Sequence, residues 1–458
     1  MNIEVIILAA GEGKRMRSTL PKVLHCLAGT SLLQHVLNTS AQLQANACHV
    51  VVGHGADQVR QSLADTPSDT PLVWVEQSTQ LGTGHAVLQA LPGVADDAVV
   101  LVLYADVPLV SADCLLELLQ LAQQGPALLT ADLSDPMGYG RILRDGTGAL
   151  VGVVEQRDAS VAEQDITEIN TGILAAPAAL LKQLLPAVGN DNAQAEYYLP
   201  DVLALAVAQG HPVASVCVAN PIDVLGVNDR AQLNQLEREY QRRQAHDLML
   251  GGVTLIDAAR IDIRGQLNCQ QDVVIDANTL FEGKVSLAAG VTIGANCVLI
   301  DCEVGTGVEV KPFSHLQGVV IGSDCRIGPF ARLRPDTRLE AGVHIGNFVE
   351  TKKSHIRAGS KIKHLSYIGD CQMGEAVNIG AGTITCNYDG AHKHTTHIGD
   401  GVFVGSNSTL VAPISIESGG FVGAGSIITK PVNANQLAIC RAKQRNLDGW
   451  KRPVKKDA

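Results

Sequence analysis

Residues 398–428 read IGDGVFVGSNSTLVAPISIESGGFVGAGSII, with Ile398, Val404, Leu410, Ile416, Val422 and Ile428 each six positions after the last. An α-helix repeats about every 3.6 residues and a strand every two. Neither alone sets an aliphatic residue at every sixth place. A solenoid of short strands and turns does. Each hexad gives one strand with one inward side chain, and stacked coils bury those side chains as a continuous column. The same beat runs outward through Ile275, Phe281, Leu287, Ile293 and Leu299, through Ile321, Ile327, Leu333, Leu339 and Ile345, and through Ile356, Ile362 and Ile368. It covers roughly residues 265 to 430. The register slips in 304–310, 346–356 and 369–379, and 383–396 bulges out, so loops or altered turns are expected there.

Upstream the chain changes character. All six Phe lie after residue 280, and of 45 glycines 18 fall in 1–250 and 27 in 251–458. A chain of 458 residues exceeds one ordinary core, so two or three domains are expected. The net charge of −11 argues against a nucleic-acid partner or an anionic membrane, though a local basic pocket can still take small anions. No apolar run approaches the ~18–20 residues of a membrane span. The start carries Glu4 and lacks a basic segment, unlike a signal peptide. The eleven cysteines are scattered without CxxC pairs, which reads as free thiols in a reducing cytosol. A cytoplasmic protein is expected.

In the first half, aliphatic runs at Val5–Leu8, His49–Val52, Leu72–Val75, Val99–Leu103 and Gly172–Leu174 alternate with helix-like segments such as Ser31–Leu43 and Ser111–Gln123. That alternation predicts a mostly parallel, Rossmann-like sheet, whose ligands bind at the carboxyl ends of strands. The opening, MNIEVIILAAGEGKRMRSTLPK, puts a small-residue turn at such a place. It is not a dinucleotide fingerprint, because Met16 stands where the third glycine belongs. Nor is it a Walker A loop, because Arg15 follows Gly13-Lys14. Small residues nevertheless let backbone amides approach an anion, and Arg15 and Lys22 can neutralise phosphate. LYADVPL (103–109) puts Asp106 at the end of an apolar strand, as a Mg²⁺ ligand beside phosphate or as a turn or N-cap residue. Asn228 in VLGVNDR (224–230) offers a second oxygen. Residues 229–248 lack Gly and Pro and carry Leu233, Leu236 and Tyr240 at helical spacing, an exposed helix joining two domains with Arg238, Arg242 and Arg243 on its solvated face.

Taken together, LAAGEGKRM…LPK, Gln77, GTGHA, LYADVP, GYGRI, INTGI and GVND resemble the sugar-1-phosphate nucleotidyltransferases. The hexads resemble the left-handed parallel β-helix of the hexapeptide acyltransferases. The pair resembles the bacterial bifunctional UDP-N-acetylglucosamine pyrophosphorylase/glucosamine-1-phosphate N-acetyltransferases over nearly the whole chain. That resemblance implies a nucleotidyltransferase domain in 1–228, a linker helix in 229–250 and an N-acetyltransferase β-helix with a C-terminal tail in 251–458. It implies that Leu8, Ala9, Ala10, Gly11, Lys22, Gln77, Gly82 and Thr83 hold the nucleotide. Tyr104, Ala105, Gly140, Glu155 and Asn170 would frame the sugar, and Asp106 and Asn228 would hold Mg²⁺. Arg15 and Lys22 would neutralise charge as a sugar phosphate attacks the α-phosphate of UTP. Ala105 departs from the family, which usually has glycine there. A methyl group is tolerable if its φ is negative.

In the second half, the resemblance implies His364 as the base that frees an amine for acetylation. Arg334, Lys352, Tyr367 and Asn378 would bind the sugar phosphate, and Ala381, Asn387, Tyr388, Ser406, Ala424 and Arg441 would line the acetyl-CoA site. It also implies a homotrimer with sites between subunits. The basic tail KRPVKK (451–456) is either a solvated arm or a contact to coenzyme A phosphates. The substrates implied are glucosamine-1-phosphate, acetyl-CoA and UTP. The product would be UDP-N-acetylglucosamine for cell-envelope polymers. The alternative is a monofunctional nucleotidyltransferase with a structural β-helix. His364, Lys352, Tyr367 and Asn378 standing in their motifs speak against it. A non-enzymatic scaffold is opposed by Lys22, Asp106 and Asn228.

Overall fold

In a computed structural model, residues 1–64 and 70–455 are described, so Lys456 of the basic tail lies outside the described residues. The chain divides into two compact units, Met1–Tyr240 and Gln241–Ala458.

The first unit is a sheet in the order β11 (Ala214–Cys217), β7 (Ala127–Asp132), β10 (Glu168–Pro177), β6 (Val99–Tyr104), β1 (Ile3–Leu8), β4 (Ala47–Val52) and β5 (Leu72–Glu76). All neighbours on this path are parallel except β10, which runs antiparallel to both β6 and β7. A side hairpin, β8 (Arg141–Arg144) with β9 (Leu150–Val154), joins β10 through β8. The aliphatic runs of β1, β4 and β6 are buried along nearly their whole length, as expected of strands covered on both faces. Helices α1 (Leu32–Gln42) and α4 (Ala112–Leu121) start where Ser31 and Ser111 accept N–H bonds from Gln34 and Cys114. The sequence pattern missed β7, β8, β9 and β11.

The helix expected at the joint is α8 (Arg230–Leu250), and the boundary between the compact units falls inside it. It is not wholly exposed. In the first unit Leu236 is buried against Met16, Leu27, Leu32 and Leu109, and the Glu237 carboxylate accepts the Ala28 N–H at 2.6 Å. In the second, Gln241 is buried and bonds both backbone groups of Ile263.

The second unit is a parallel β-helix. Its first face is a ladder of eleven short strands from Thr254–Leu255 to Leu437–Ala438, neighbours in register and all parallel. The other faces form a second ladder of fifteen strands. Each buried aliphatic residue stabilises by roughly 1.5–3 kcal/mol relative to exposure, and the hexad positions fill one continuous core. The corner leaving the first face is a column of left-handed residues: Asn278, Asn296, Phe313, Phe330, Phe348, Leu365, Gly382, Asn407 and Gly425, with φ between 47° and 75°. Phe313, Phe330 and Phe348 stack along it at centroid distances of 5.0 and 5.3 Å.

Two of the three expected slips, in 346–356 and 369–379, coincide with short steps, and two further short steps stand elsewhere. Five-residue steps join the buried pairs Leu299/Val304, Leu316/Ile321, Thr351/Ile356 and Ile368/Met373. Val304 to Val310, expected to slip, is a regular hexad. Every short step falls at the one corner between the second and third faces, and the insertion falls there too. Residues 387–395 bulge between strands Ile384–Cys386 and Thr396–Ile398. Asp389 closes this loop by accepting from the N–H groups of Ala391 and His392 and from His394. The His392 N–H and the His394 bond hold its carboxyl far below the usual carboxylate range.

Two candidate active sites

In the first unit, the carboxyl ends of β1 and β6 open on a cavity of about 230 Å³. It is lined by Leu8, Ala9, Ala10, Gly11, Lys22, Gln77, Gly82, Thr83, Tyr104 and Asp106, all expected, together with Val23, Gln80, Ala86 and Glu196. Gly11 is open, with no atom within 4 Å of where a Cβ would stand. Gln77 is buried, and its amide donates to the Gly82 carbonyl at 3.2 Å and meets His85 Nδ1 at 2.9 Å. Gly82, at φ 110°, lets the Tyr197 backbone pass where a Cβ would stand 2.6 Å from its carbonyl. That close approach brings Glu196 to the cavity.

Where the sugar is expected, β8, β9 and β10 draw three of the named residues together. The Asn170 N–H bonds the Gly140 carbonyl at 2.8 Å, and a Cβ on Gly140 would stand 3.0 Å from Glu155 Oε1. Burial raises the Glu155 pKa, and Asp201 and Asp158 push it the same way. Tyr104 closes this end, and burial raises its phenol well above the usual range. Its ring lies against Gly172, where a Cβ would stand 2.6 Å away. The Gly172 φ of 83° accompanies the bulge between Asn170 and Leu174 in β10.

Two expected residues sit differently. Ala105 has no positive φ, which meets the condition for its methyl group, but it is wholly buried in the core and offers a ligand only backbone. Arg15 is exposed on the short turn Lys14–Met16, outside the cavity lining.

Asp106 and Asn228 converge as expected, and what they converge on is Lys22. Its ammonium forms a half-buried ion pair with Asp106 and lies 3.5 Å from Asn228 Oδ1. The Val227 N–H bonds the Asp106 carbonyl at 2.9 Å and the Asn228 N–H bonds Gln232 at 2.7 Å, so backbone contacts hold both partners. One carboxylate and one amide oxygen, already gripping a cation, suit a hard divalent ion that keeps most of its ligands from water and substrate.

In the second unit, strand register puts Lys361–Ile362 beside Asn378–Ile379 and those beside Phe403–Val404 and Phe421–Val422. Two residues past each aliphatic position stand His364, Ala381, Ser406 and Ala424. The expected base and three expected acetyl-CoA contacts are therefore one column along a single corner. The Asn407 N–H bonds the Ala381 carbonyl at 2.7 Å, the Gly425 N–H bonds that of Ser406 at 2.8 Å, and Arg441 Nη1 donates to that of Ala424 at 3.0 Å. Around the corner, on the second face, Arg334 pairs with Glu350 at 2.9 Å, and Tyr367 and Lys352 lie on neighbouring coils. Asn387 bonds Asp370 and donates to the Tyr367 hydroxyl at 3.4 Å. Asn378 instead lies on the first face, and Tyr388 is exposed under Lys393 in the bulge.

The chain matches the MobA-like NTP transferase domain over residues 5–188 and the bacterial transferase hexapeptide repeat over 318–353. It is 54% identical to the bifunctional protein GlmU of Marinobacter nauticus, an alignment covering 99% of each chain. The GlmU proteins of Alkalilimnicola ehrlichii and Aromatoleum aromaticum are each 53% identical, covering 98% and 100% of this chain and 96% and 100% of theirs. The chain belongs to the GlmU family. It is an enzyme that acetylates glucosamine-1-phosphate with acetyl-CoA and then transfers UMP from UTP to the product, and the monofunctional alternative falls away. A solved UDP-glucose pyrophosphorylase complexed with UDP-glucose aligns with 53% of this chain and 100% of its own at 16% identity and TM-score 0.45, which adds nothing to that assignment.

Sequence reasoning overlooked Gln80 and Glu196 in the first cavity of this GlmU-family chain, and Glu350 and Asp370 in the second unit. Glu196 is carried there by a distant segment. Gln80 stood near the GTGHA motif and was legible. Glu350 opens the ETKKSH stretch and was legible as the partner of Arg334.

Proposed function

We propose that the cavity of the first unit is the uridylyl-transfer site and the corner column of the second the acetyl-transfer site. The attacking oxygen of N-acetylglucosamine-1-phosphate is already anionic near pH 7, so no general base is needed and positioning with charge neutralisation suffices. Lys22 lines the cavity and reaches the phosphates, while Gly11 and its neighbours let backbone amides approach them. Glu155, Asn170 and Tyr104 hold the sugar. Asp106 and Asn228 would hold Mg²⁺, which supplies charge neutralisation at the phosphate oxygens. The convergence of Asp106, Asn228 and Lys22 at the cavity carries this reading.

In the second unit His364 takes the proton of the sugar amine as the acetyl group is transferred. Arg334 and Lys352 meet the sugar phosphate, and Ala381, Ser406, Ala424 and Arg441 meet coenzyme A. A homotrimer places other subunits' faces against that corner, which suits a set split between two faces. Both co-substrates belong to the cytoplasm, and so does the enzyme. Among the described residues no helix is long and apolar enough to cross a membrane.

The test supplies glucosamine-1-phosphate, acetyl-CoA, UTP and Mg²⁺ and follows free thiol and pyrophosphate separately. Asp106→Asn should abolish pyrophosphate release and leave thiol release intact. His364→Ala should stop acetylation, yet release pyrophosphate when given pre-acetylated sugar phosphate. Either variant losing both reactions while folded overturns the assignment.

A further inference from the structure

A general base works only if its free lone pair faces the proton it takes, and a neutral imidazole has one such nitrogen. The side chain that fixes the other nitrogen therefore decides which face of His364 is reactive. His364 is exposed at the end of its strand, where nothing of the core holds the ring. One coil below, Asn347 is its in-register partner on the first face. Asn347 Oδ1 lies 2.9 Å from His364 Nδ1.

The two share a cavity of about 290 Å³ lined by Lys311, Arg326, Gly328, His344, Ile345, Gly346, Asn347, Lys363 and His364. Five of those residues are basic or titrate to a cation, and none is a carboxylate. The acceptor commonly found behind a histidine base, an Asp or Glu, is thus missing from this lining. An amide oxygen can do the orienting part of that work, because it accepts the Nδ1 proton and fixes the tautomer. Unlike a carboxylate, it adds no negative charge to favour the imidazolium.

We propose that Asn347 is the positioning residue for His364. It accepts the Nδ1–H, holds the ring in the Nδ1-protonated tautomer and leaves Nε2 as the proton acceptor in acetyl transfer. The inference rests on the reading of His364 as the base. Asn347 touches no substrate in this scheme and acts only through the ring.

Two measurements test it on the full-length enzyme. The first is the ¹⁵N spectrum of the His364 imidazole, assigned by its loss in His364→Gln. The wild type should show Nε2 as the unprotonated nitrogen, and Asn347→Leu should lose that preference. The second is steady-state acetyl transfer. Asn347→Leu should lower kcat roughly tenfold or more, the scale of losing general-base alignment, with KM for glucosamine-1-phosphate held within about twofold. Asn347→Asp keeps an acceptor oxygen and should restore the tautomer. Uridylyl transfer by the first unit, unchanged in each variant, reports that the chain is folded.

An Nε2-protonated wild type, or an Asn347→Leu enzyme with unchanged tautomer and kcat, overturns the proposal. Full acetyl transfer by His364→Gln would instead overturn the reading of His364 as base, which separates the two failures.

Discussion

At the scale of single residues, the first site is shaped as much by missing side chains as by present ones. Gly172 admits the Tyr104 ring beside the cavity, and its left-handed φ of 83° strains a residue with a Cβ. Gly172→Ala carries two costs, a strained backbone and a methyl driven into the half-buried Tyr104 ring. We expect a stability loss of about 1–3 kcal/mol by chemical denaturation. Uridylyl transfer should fall while acetyl transfer in the other unit survives. Undiminished uridylyl transfer in this variant would mean that the Tyr104 position is irrelevant to the sugar. Ala105 is a contrast: its methyl group points into the core at a negative φ, so the departure from the family's usual glycine leaves the cavity wall unaltered.

Among the elements, helices α1 and α8 meet through His35 and Tyr240, whose rings stack edge to face at 5.2 Å. His35 Nε2 lies 2.9 Å from the Leu27 carbonyl, and burial lowers the ring's pKa below its ordinary value. The folded state therefore resists a proton that the unfolded chain accepts below about pH 6.5. The stability from neutral His35 is present above that pH and is lost as pH falls. Thermal unfolding of the wild type should drop between about pH 7 and pH 5. His35→Gln can still donate to Leu27 and does not titrate, so its slope should be shallower. An identical slope would remove His35 from the account. These elements also show what a sequence can disclose. The hexads were legible because one inward residue per strand leaves a strict period, and β1, β4 and β6 because double-sided burial leaves unbroken aliphatic runs. The short hairpin of β8 and β9 carries no such run. The slips were visible as broken periods, but their common corner was not, because a corner is a property of stacked coils. Motif residues could be found one at a time. Glu196 and Asn347 could not, since distant segments and strand register bring them to their sites.

For the molecule as a whole, two folds of opposite logic carry two reactions. The first unit gathers its expected nucleotide residues around one cavity within a single chain. The second spreads its expected residues over two outward faces, with Phe403 and Phe421 stacked in the open at 4.6 Å. A site so divided should depend on its neighbours. Dilution below the assembly constant, followed by analytical ultracentrifugation and both assays, should cost acetyl transfer and spare uridylyl transfer. Equal losses would tie both reactions to assembly. The Lys22 ammonium has a consequence at this scale too. It already balances the Asp106 carboxylate, so that carboxylate has a cationic partner from the chain itself. Proteins completed by a metal ion soften when it is stripped away. Here a chelator should silence uridylyl transfer yet leave the thermal midpoint within about 1 °C, because the chain brings its own plug for the socket. A midpoint that fell by several degrees would reveal a structural ion instead. Such a molecule can be made and stored where magnesium is scarce, and waits for the ion and its substrates to begin work.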